Sequence, residues 1–146
     1  MYYIAHRGNL YGPNPSMENN PEYVKNALDS GFDAEIDVWY INGKFQLGHD
    51  EPQYDVDVSF LIHDRVWCHA KNIDALEMLL SIGAHCFWHE KDMYTLTSKG
   101  IIWAYPGSPL TKNTICVMCS PDTENILGVC SDDVVFQKMH QIIRDT

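Results

Sequence analysis

The chain has no long apolar segment and few basic residues, and each shortage excludes a class of protein. No apolar run approaches the roughly 18–20 residues that a helix needs to cross a bilayer, so we expect no membrane insertion. The opening residues, MYYIAHRG, lack a basic stretch followed by an apolar one, so they predict no signal peptide. Ten Lys and Arg stand against twenty Asp and Glu, which disfavours nucleic acid and anionic membrane surfaces as partners.

The cysteines are few and odd in number, which argues against a disulfide framework. There are five, at positions 68, 86, 116, 119 and 130, and each lies in an apolar run. This pattern predicts buried, reduced thiols and a cytoplasmic protein. Cys116 and Cys119 have the CxxC spacing, for which a metal or redox role is the alternative to core packing. If this segment is a strand, its two sulfur atoms point to opposite faces, which favours core packing.

The chain also lacks linkers, low-complexity tracts and internal repeats, so residues 1–146 are expected to form a single domain. Short apolar segments predict seven strands: Tyr3–His6, Ala34–Trp39, Val66–Ala70, Cys86–Trp88, Ile101–Ala104, Ile115–Cys119 and Leu127–Cys130. The Asn-Gly pair at 42–43 predicts a hairpin that leads into one more strand around Lys44–Leu47.

Three segments carry the signals of helices. Asn20 and Asn72 have the character of N-caps, and Gly31 and Gly83 that of helix ends. The third helix is expected within residues 131–146, which begin with acids and end near Arg144, as the helix dipole favours. The residues predicted to face the core in this last helix are Val135, Met139, Ile142 and Ile143.

Alternating strands and helices predict an α/β fold with a parallel sheet. The sheet could be open and doubly wound, or it could close into a barrel. A full (β/α)₈ barrel takes about 250 residues, and this chain has 146. The segments after Trp88 and Ala104 are too short for full helices. We therefore expect a reduced TIM-type (β/α) barrel with shortened or missing helices.

Polar side chains occur where several of these apolar strands end. Parallel α/β folds place their chemistry at the carboxyl ends of the strands, so we expect these side chains to converge. They come from the first strand, from the second strand with its hairpin, and from the third strand. The residues are His6, Arg7, Glu35, Asp37, His49, Asp50, His69 and Lys71.

These residue types suit cleavage of a phosphodiester. Glu35 and Asp37 lie two residues apart, so their carboxylates share one strand face and can hold Mg²⁺ or Ca²⁺. The alternative is that they only form ion pairs with Arg7 and Lys71. Those two cations can instead hold phosphate oxygens. The two histidines that follow the first strand and the hairpin can move protons near neutral pH.

Four segments, in order over residues 4–52, resemble a known family. IAHRGN, MENNPEYVKNAL, DAEIDVW and LGHDEP are similar to the signature of the glycerophosphodiester phosphodiesterases, within the phospholipase-C-like phosphodiesterase superfamily. The resemblance implies a TIM barrel that cleaves phosphodiesters with a metal ion. It also implies that His6 and His49 are the acid/base pair and that Glu35 and Asp37 bind the metal.

The third strand departs from the family pattern. The family usually carries Glu-x-Lys there, with the Glu as a metal ligand, whereas this chain reads HAK. The resemblance therefore places His69 in the metal set, with a phosphate contact or a structural role as the alternative, and places Lys71, with Arg7, on the phosphate. Imidazole is a softer ligand than carboxylate. The expected cofactor is one divalent ion, Mg²⁺ or Ca²⁺, with Mn²⁺ as a further candidate.

The expected function is hydrolysis of a small phosphodiester, either glycerophosphodiester-like or sugar-linked. Glu18 is expected to order the loop, by bonding Arg7 or the helix start, and Asp50 to support its neighbour His49. The short length and the segment FWHEKDMYTLTSKGIIWAYPG also resemble compact family members associated with bacterial polysaccharide gene clusters. The alternative is a non-catalytic protein that keeps the barrel and binds a phosphate or sugar phosphate.

Overall fold

A strongly bent sheet of ten strands dominates the computed structural model, which describes residues 1–146. The strands are β1 (Tyr2–His6), β2 (Asp33–Ile41), β3 (Lys44–Leu47), β4 (Tyr54–Asp55), β5 (Val66–Ala70), β6 (Cys86–Phe87), β7 (Tyr94–Leu96), β8 (Ile102–Ala104), β9 (Thr114–Val117) and β10 (Gly128–Ser131). Four short helices accompany them: α1 (Pro21–Asp29), α2 (Val58–Leu61), α3 (Ile73–Ser81) and α4 (Val134–Asp145). None of these helices has the length and apolar content to cross a bilayer.

The sheet is mixed, with a parallel centre and antiparallel additions. Strands β6, β5, β2, β1, β10, β9 and β8 lie side by side in that order, each parallel to its neighbours. Strand β7 adds to β8 in the antiparallel direction. The hairpin strands β3 and β4 extend from the second half of β2, also antiparallel. The carboxyl ends of β1, β2 and β5 therefore meet at one edge of the sheet.

The prediction of a reduced TIM-type barrel is wrong. No strand pairing joins β6 to β7 or β8, so the sheet curls into a half-barrel and stays open. Regular alternation of strand and helix is also missing, because no helix lies between β6 and β10. The physical reason is length: 146 residues cannot supply eight helical crossovers, and short connections put hairpins and loops where a barrel has helices.

Strand β2 separates the apolar core from the polar face of the sheet. Ala34, Ile36 and Val38 are fully buried against the helices on the convex side. Glu35 and Asp37 alternate with them and point to the concave side. The same alternation that buries the core therefore presents both carboxylates inside the curl.

Aromatic side chains fill the concave side below the polar residues. The rings of Trp67 and Trp103 are 5.7 Å apart, and those of Phe87 and Trp103 are 4.7 Å apart. All three side chains are almost completely buried. They form a dry floor, which strengthens the electrostatic interactions of the charged groups above it.

The helix caps were predicted correctly, but the buried face of the last helix was mostly wrong, since only Val135 of its predicted residues packs partly against the core. The side chains of Asn20 and Asn72 accept hydrogen bonds from the first turns of α1 and α3. In α4, the predicted core residues Met139, Ile142 and Ile143 are 52%, 49% and 67% exposed. The helix buries Val134 and Gln137 instead, because that side of it meets β1 and β10.

The cysteines follow the prediction at three positions and depart from it at two. Cys68, Cys86 and Cys130 are free and buried, as expected. Cys116 and Cys119 form a disulfide, contrary to the prediction of opposed sulfur atoms. Strand β9 ends between them, and Met118 has a positive φ of 55°, which turns the chain back on itself.

Candidate active site

The side chains predicted to form a site converge on one cavity at the carboxyl ends of the strands. The cavity has a volume of about 320 Å³. Seven of the predicted residues line it: His6, Arg7, Glu35, Asp37, His49, His69 and Lys71. The strand register explains their meeting, since His6 is the partner of Glu35 and Asp37 is the partner of His69 in parallel pairs. Asp50 and Glu18 lie outside this cavity.

Glu35, Asp37 and His69 form a group that fits a divalent cation. Each offers one ligand atom, and these atoms lie within 4.8 Å of one another. Glu35 is 3% exposed and Asp37 1% exposed. The Oε1 atom of Glu35 has no hydrogen-bond partner. An unpaired buried carboxylate oxygen is costly, so a bound cation would satisfy the most unfavourable atom of the cluster.

The two carboxylates have pKa values that move in opposite directions. Burial and the neighbouring charge of Asp37 raise the pKa of Glu35. Burial also acts to raise the pKa of Asp37, but the neighbouring His49 and His69 and the hydrogen bond from Asn19 outweigh it and hold the pKa low. Asp37 is therefore the carboxylate that stays ionised. A nearby cation would stabilise the ionised form of Glu35 more than that of Asp37.

Arg7 lies at the centre of the polar network. It follows β1 in a left-handed conformation, with φ at 55°, which turns its side chain over the end of β2. Its Nη1 donates to Oε1 of Glu18 at 3.1 Å, and its Nε lies 3.4 Å from Oδ2 of Asp37. Glu18 also accepts from the backbone of Asn14 at 2.7 Å. Glu18 thus orders the loop, as the sequence led us to expect.

His6 is held by a residue that sequence reasoning did not single out. Its Nδ1 donates to Oδ1 of Asp132 at 2.8 Å, and its Nε2 lies 3.4 Å from Oε2 of Glu35. Burial lowers the pKa of His6, but Glu35 and the hydrogen bond to Asp132 outweigh it, so the pKa is raised. Because Asp132 occupies Nδ1, Nε2 is the atom that faces the cavity and can exchange a proton.

His49 reaches the cavity from a tight loop that glycine permits. A Cβ atom at Gly48 would overlap the backbone carbonyl of Glu51, so the loop can close only with glycine there. Nη2 of Arg7 lies 2.8 Å from Nδ1 of His49 and 3.2 Å from its Nε2, so the guanidinium holds the ring at the cavity. The Asp50 side chain is 93% exposed and lies 3.6 Å from that Nε2.

Two asparagines support the charged groups and were not predicted in that role. Asn19 is buried with a positive φ of 67°, and it exchanges two hydrogen bonds of 2.9 Å with the side chain and backbone of Asp37. Asn9 donates to both Glu18 and Asp132. The signal for Asn19 was its place in MENNPEYVKNAL, immediately before the helix cap. Asp132 was visible only as the acid after the last strand.

Part of the cavity wall is aromatic. The rings of His89 and Tyr105 stack with centroids 4.5 Å apart, and both residues line the cavity. Burial, with the charge of Glu35, raises the pKa of Tyr105 to about 12, so its hydroxyl stays protonated. The cavity therefore has a charged side suited to phosphate and a less polar side suited to the group esterified to it.

No protein-family model, no curated protein and no solved structure matches this chain. The resemblance over residues 4–52 to the glycerophosphodiester phosphodiesterases therefore stays a prediction. The geometry of the cavity is the remaining evidence for function.

Proposed function

We propose that this chain is a metal-dependent phosphodiester hydrolase. One observation carries the proposal: two buried carboxylates, two cations and four histidines from separate parts of the chain line a single cavity of about 320 Å³. Ion pairing alone would not require this arrangement, because Glu35 keeps an unpartnered oxygen although Arg7 and His6 are close by. The alternative of simple ion pairs leaves that oxygen unexplained.

The substrate phosphate would lie between the metal group and the two cations. Glu35, Asp37 and His69 would hold a divalent cation, which supplies charge neutralisation for a phosphoryl oxygen when bound. Arg7 presents a planar donor group to the cavity, and Lys71 lines the cavity beside it. Both would donate to the non-bridging oxygens of the phosphate and fix its orientation.

The two histidines would exchange protons with the attacking and leaving oxygens. His6 has its Nε2 free for this task, because Asp132 holds the opposite nitrogen. His49 lies beside Arg7, with Nη2 of Arg7 2.8 Å from its Nδ1, and so lies next to the group that would bind phosphate. One histidine would take a proton from water or a substrate hydroxyl, and the other would protonate the departing alcohol.

Hydrolysis of bis(p-nitrophenyl) phosphate tests the proposal. The wild-type protein should release p-nitrophenolate in the presence of a divalent cation and lose this activity in EDTA. His6→Ala and His49→Ala should each lower kcat by on the order of 10²-fold or more, with unchanged circular dichroism. His140→Ala is the matched control, since His140 lies in α4 and bonds Asp122, away from the cavity.

The same assay separates the hydrolase from the rival binding protein. A protein that only binds phosphate would show saturable binding of inorganic phosphate with no turnover under any cation. Full activity in His6→Ala or His49→Ala would refute the roles given to these two histidines.

A further inference from the structure

His69 is held in the orientation of a metal ligand. Its Nε2 lies 2.9 Å from the backbone carbonyl of His89, and a carbonyl oxygen can only accept a hydrogen bond. The neutral ring must therefore carry its proton on Nε2 and its lone pair on Nδ1. Metal-binding histidines commonly have this arrangement, in which the second nitrogen donates to a carbonyl.

The lone pair of His69 points at the carboxylates. Its Nδ1 lies 3.3 Å from Oδ1 of Asp37, and the ring stacks on Phe87 with centroids 5.1 Å apart and planes inclined by 15°. The hydrogen bond and the stacking fix the ring on two sides. Facing lone pairs on Nδ1 and a carboxylate repel each other unless a proton or a cation lies between them.

An independent feature points to a cation in this position. The Oε1 atom of Glu35 is buried and has no hydrogen-bond partner in the folded chain. It belongs to the same group of ligand atoms within 4.8 Å of one another. The cluster therefore offers a fixed imidazole nitrogen and two carboxylates to one ion.

We infer that His69 makes this site favour Mn²⁺, Co²⁺ or Zn²⁺ over Mg²⁺ and Ca²⁺. The inference rests on the proposed metal site and specifies which cation it takes. Mg²⁺ and Ca²⁺ prefer ligand sets made of oxygen, whereas Mn²⁺, Co²⁺ and Zn²⁺ accept an imidazole nitrogen beside carboxylates. A third carboxylate at position 69 would restore the oxygen set and the preference for the harder ions.

Calorimetric titration with Mg²⁺, Ca²⁺, Mn²⁺ and Zn²⁺, without substrate, tests the inference. Most protein sites bind Zn²⁺ more tightly than Mg²⁺, so the wild-type preference alone proves little. The decisive quantity is the change in the affinity ratio caused by His69→Glu. We expect the Zn²⁺-to-Mg²⁺ and Mn²⁺-to-Mg²⁺ ratios to fall by about tenfold or more. Asp37→Asn is the control, because it should weaken all four ions together.

A second readout uses the protein with ¹⁵N-labelled histidine and His69→Gln. Zn²⁺ should shift the Nδ1 resonance of one histidine in the wild-type protein, and that shift should be absent from His69→Gln. This measurement does not depend on whether the His69→Glu variant folds.

Three results would overturn the inference: unchanged affinity ratios in His69→Glu, a Zn²⁺ shift on another nitrogen, or no cation binding by the wild-type protein. Hydrolysis supported by Mg²⁺, with affinity ratios that His69→Glu does not change, would refute the inferred metal selectivity but not the proposed hydrolase activity. Cation binding that depends on His69, without any hydrolysis, would refute the proposed hydrolase activity but not the inferred metal selectivity.

Discussion

The most informative single residue of the site is Asp132. It accepts from His6 at 2.8 Å and from Asn9 at 2.9 Å, so it fixes both the tautomer and the position of His6. Burial raises the pKa of Asp132, but its hydrogen bonds with His6 and Asn9 outweigh this and lower it. Asp132 is therefore ionised at neutral pH, and in the proposed reaction it would act through the imidazole it holds.

Replacing Asp132 tests this positioning role. Asp132→Asn keeps the size of the side chain but removes the charge that holds Nδ1–H of His6. We expect kcat for a phosphodiester to fall on the order of 10²-fold or more, with little change in KM. The limb of the pH–rate profile that reports His6 should also move to lower pH, because the pKa of His6 loses a partner that raises it.

Asp122→Asn is the matched control for this change, since the Asp122 side chain is exposed and bonds only His140 at the surface. An unchanged kcat together with an unchanged pH profile in Asp132→Asn would contradict the role given to Asp132.

Asp132 also shows what the sequence could not reveal about the site. His6 and Arg7 lie at the end of one apolar strand, and Glu35 and Asp37 alternate with the apolar residues of another, so the local pattern predicts their direction. Asp132 lies 126 positions from His6, and only the parallel pairing of β1 with β10 brings them together. A pairing between strands so distant in sequence has no local signal.

Among the elements, the loop at 48–53 has the most demanding geometry. Its backbone folds so closely over Gly48 that a side chain there would meet the carbonyl of Glu51. The indole of Trp39 donates to the carbonyl of Gly48 at 2.7 Å and anchors the start of the loop. His49 depends on this fold for its place beside Arg7.

Gly48→Ala should therefore damage both stability and activity. We expect the free energy of unfolding to fall by about 1–3 kcal/mol, because the loop must move to relieve the overlap. The kcat should fall with it, since His49 would be displaced. Urea denaturation and the phosphodiester assay measure the two effects.

Gly43→Ala is the control for glycine replacement. Gly43 has a positive φ of 78° in the hairpin turn, and nothing lies near an added Cβ. It should cost about 1 kcal/mol of stability through backbone strain alone and leave kcat unchanged. Equal kcat values in the two variants would show that the Gly48 loop does not position His49.

Helix α4 shows why an amphipathic pattern can mislead. Its apolar residues occur on more than one side, and the pattern alone favoured the side with Met139 and Ile143. The structure buries Val134 and Gln137, because the helix follows β10 directly and packs where the chain leaves the sheet. Tertiary position, which the local pattern does not contain, decides the buried face.

Substitutions in α4 test this correction. Met139→Gln with Ile143→Gln should change the free energy of unfolding by no more than about 0.5 kcal/mol for each residue, as for other exposed positions. Val134→Ala should cost about 1–3 kcal/mol, since Val134 is fully buried. Thermal or urea denaturation gives both values. A larger loss of unfolding free energy in the double variant than in Val134→Ala would show that the face expected from the sequence is the buried one.

At the scale of the whole molecule, the sequence predicted the strands better than their closure. Seven of the ten observed strands were predicted as strands of the sheet, and the Asn-Gly hairpin gave β3. Short strands such as β7 have no strong alternation of apolar and polar residues. Strand β7 pairs only with β8 and ends the sheet, where a barrel would have a further parallel strand. Whether a sheet closes depends on pairing between its outermost strands. The sequence of either strand alone does not predict that pairing.

The stability of the whole fold should fall in mild acid, in part through His85. Burial, with a smaller effect of Lys99, lowers the pKa of His85 to about 4, and its Nε2 bonds Thr97 at 2.7 Å. Below pH 6.5 the unfolded chain binds a proton at this histidine that the folded chain does not. This group therefore lowers the free energy of unfolding by up to about 1.4 kcal/mol per pH unit between pH 6.5 and 4.

Urea denaturation across this pH range checks the effect. His85→Gln keeps a partner for Thr97 and cannot titrate, so its stability should decline less steeply than that of the wild-type protein. His140→Gln, at the surface, should follow the wild-type curve. Parallel curves for His85→Gln and wild type would show that His85 titrates normally in the folded state.

The central claim is that the cavity hydrolyses phosphodiesters with a cation held by Glu35 and Asp37. The most direct test is ³¹P NMR of a glycerophosphodiester incubated with the protein and a divalent cation. We predict that the diester signal is replaced by a monoester, directly or through a cyclic phosphate, and that Asp37→Asn and EDTA prevent this. A diester signal that persists with Mg²⁺, Ca²⁺, Mn²⁺ and Zn²⁺, or that disappears equally with Asp37→Asn, would contradict the claim.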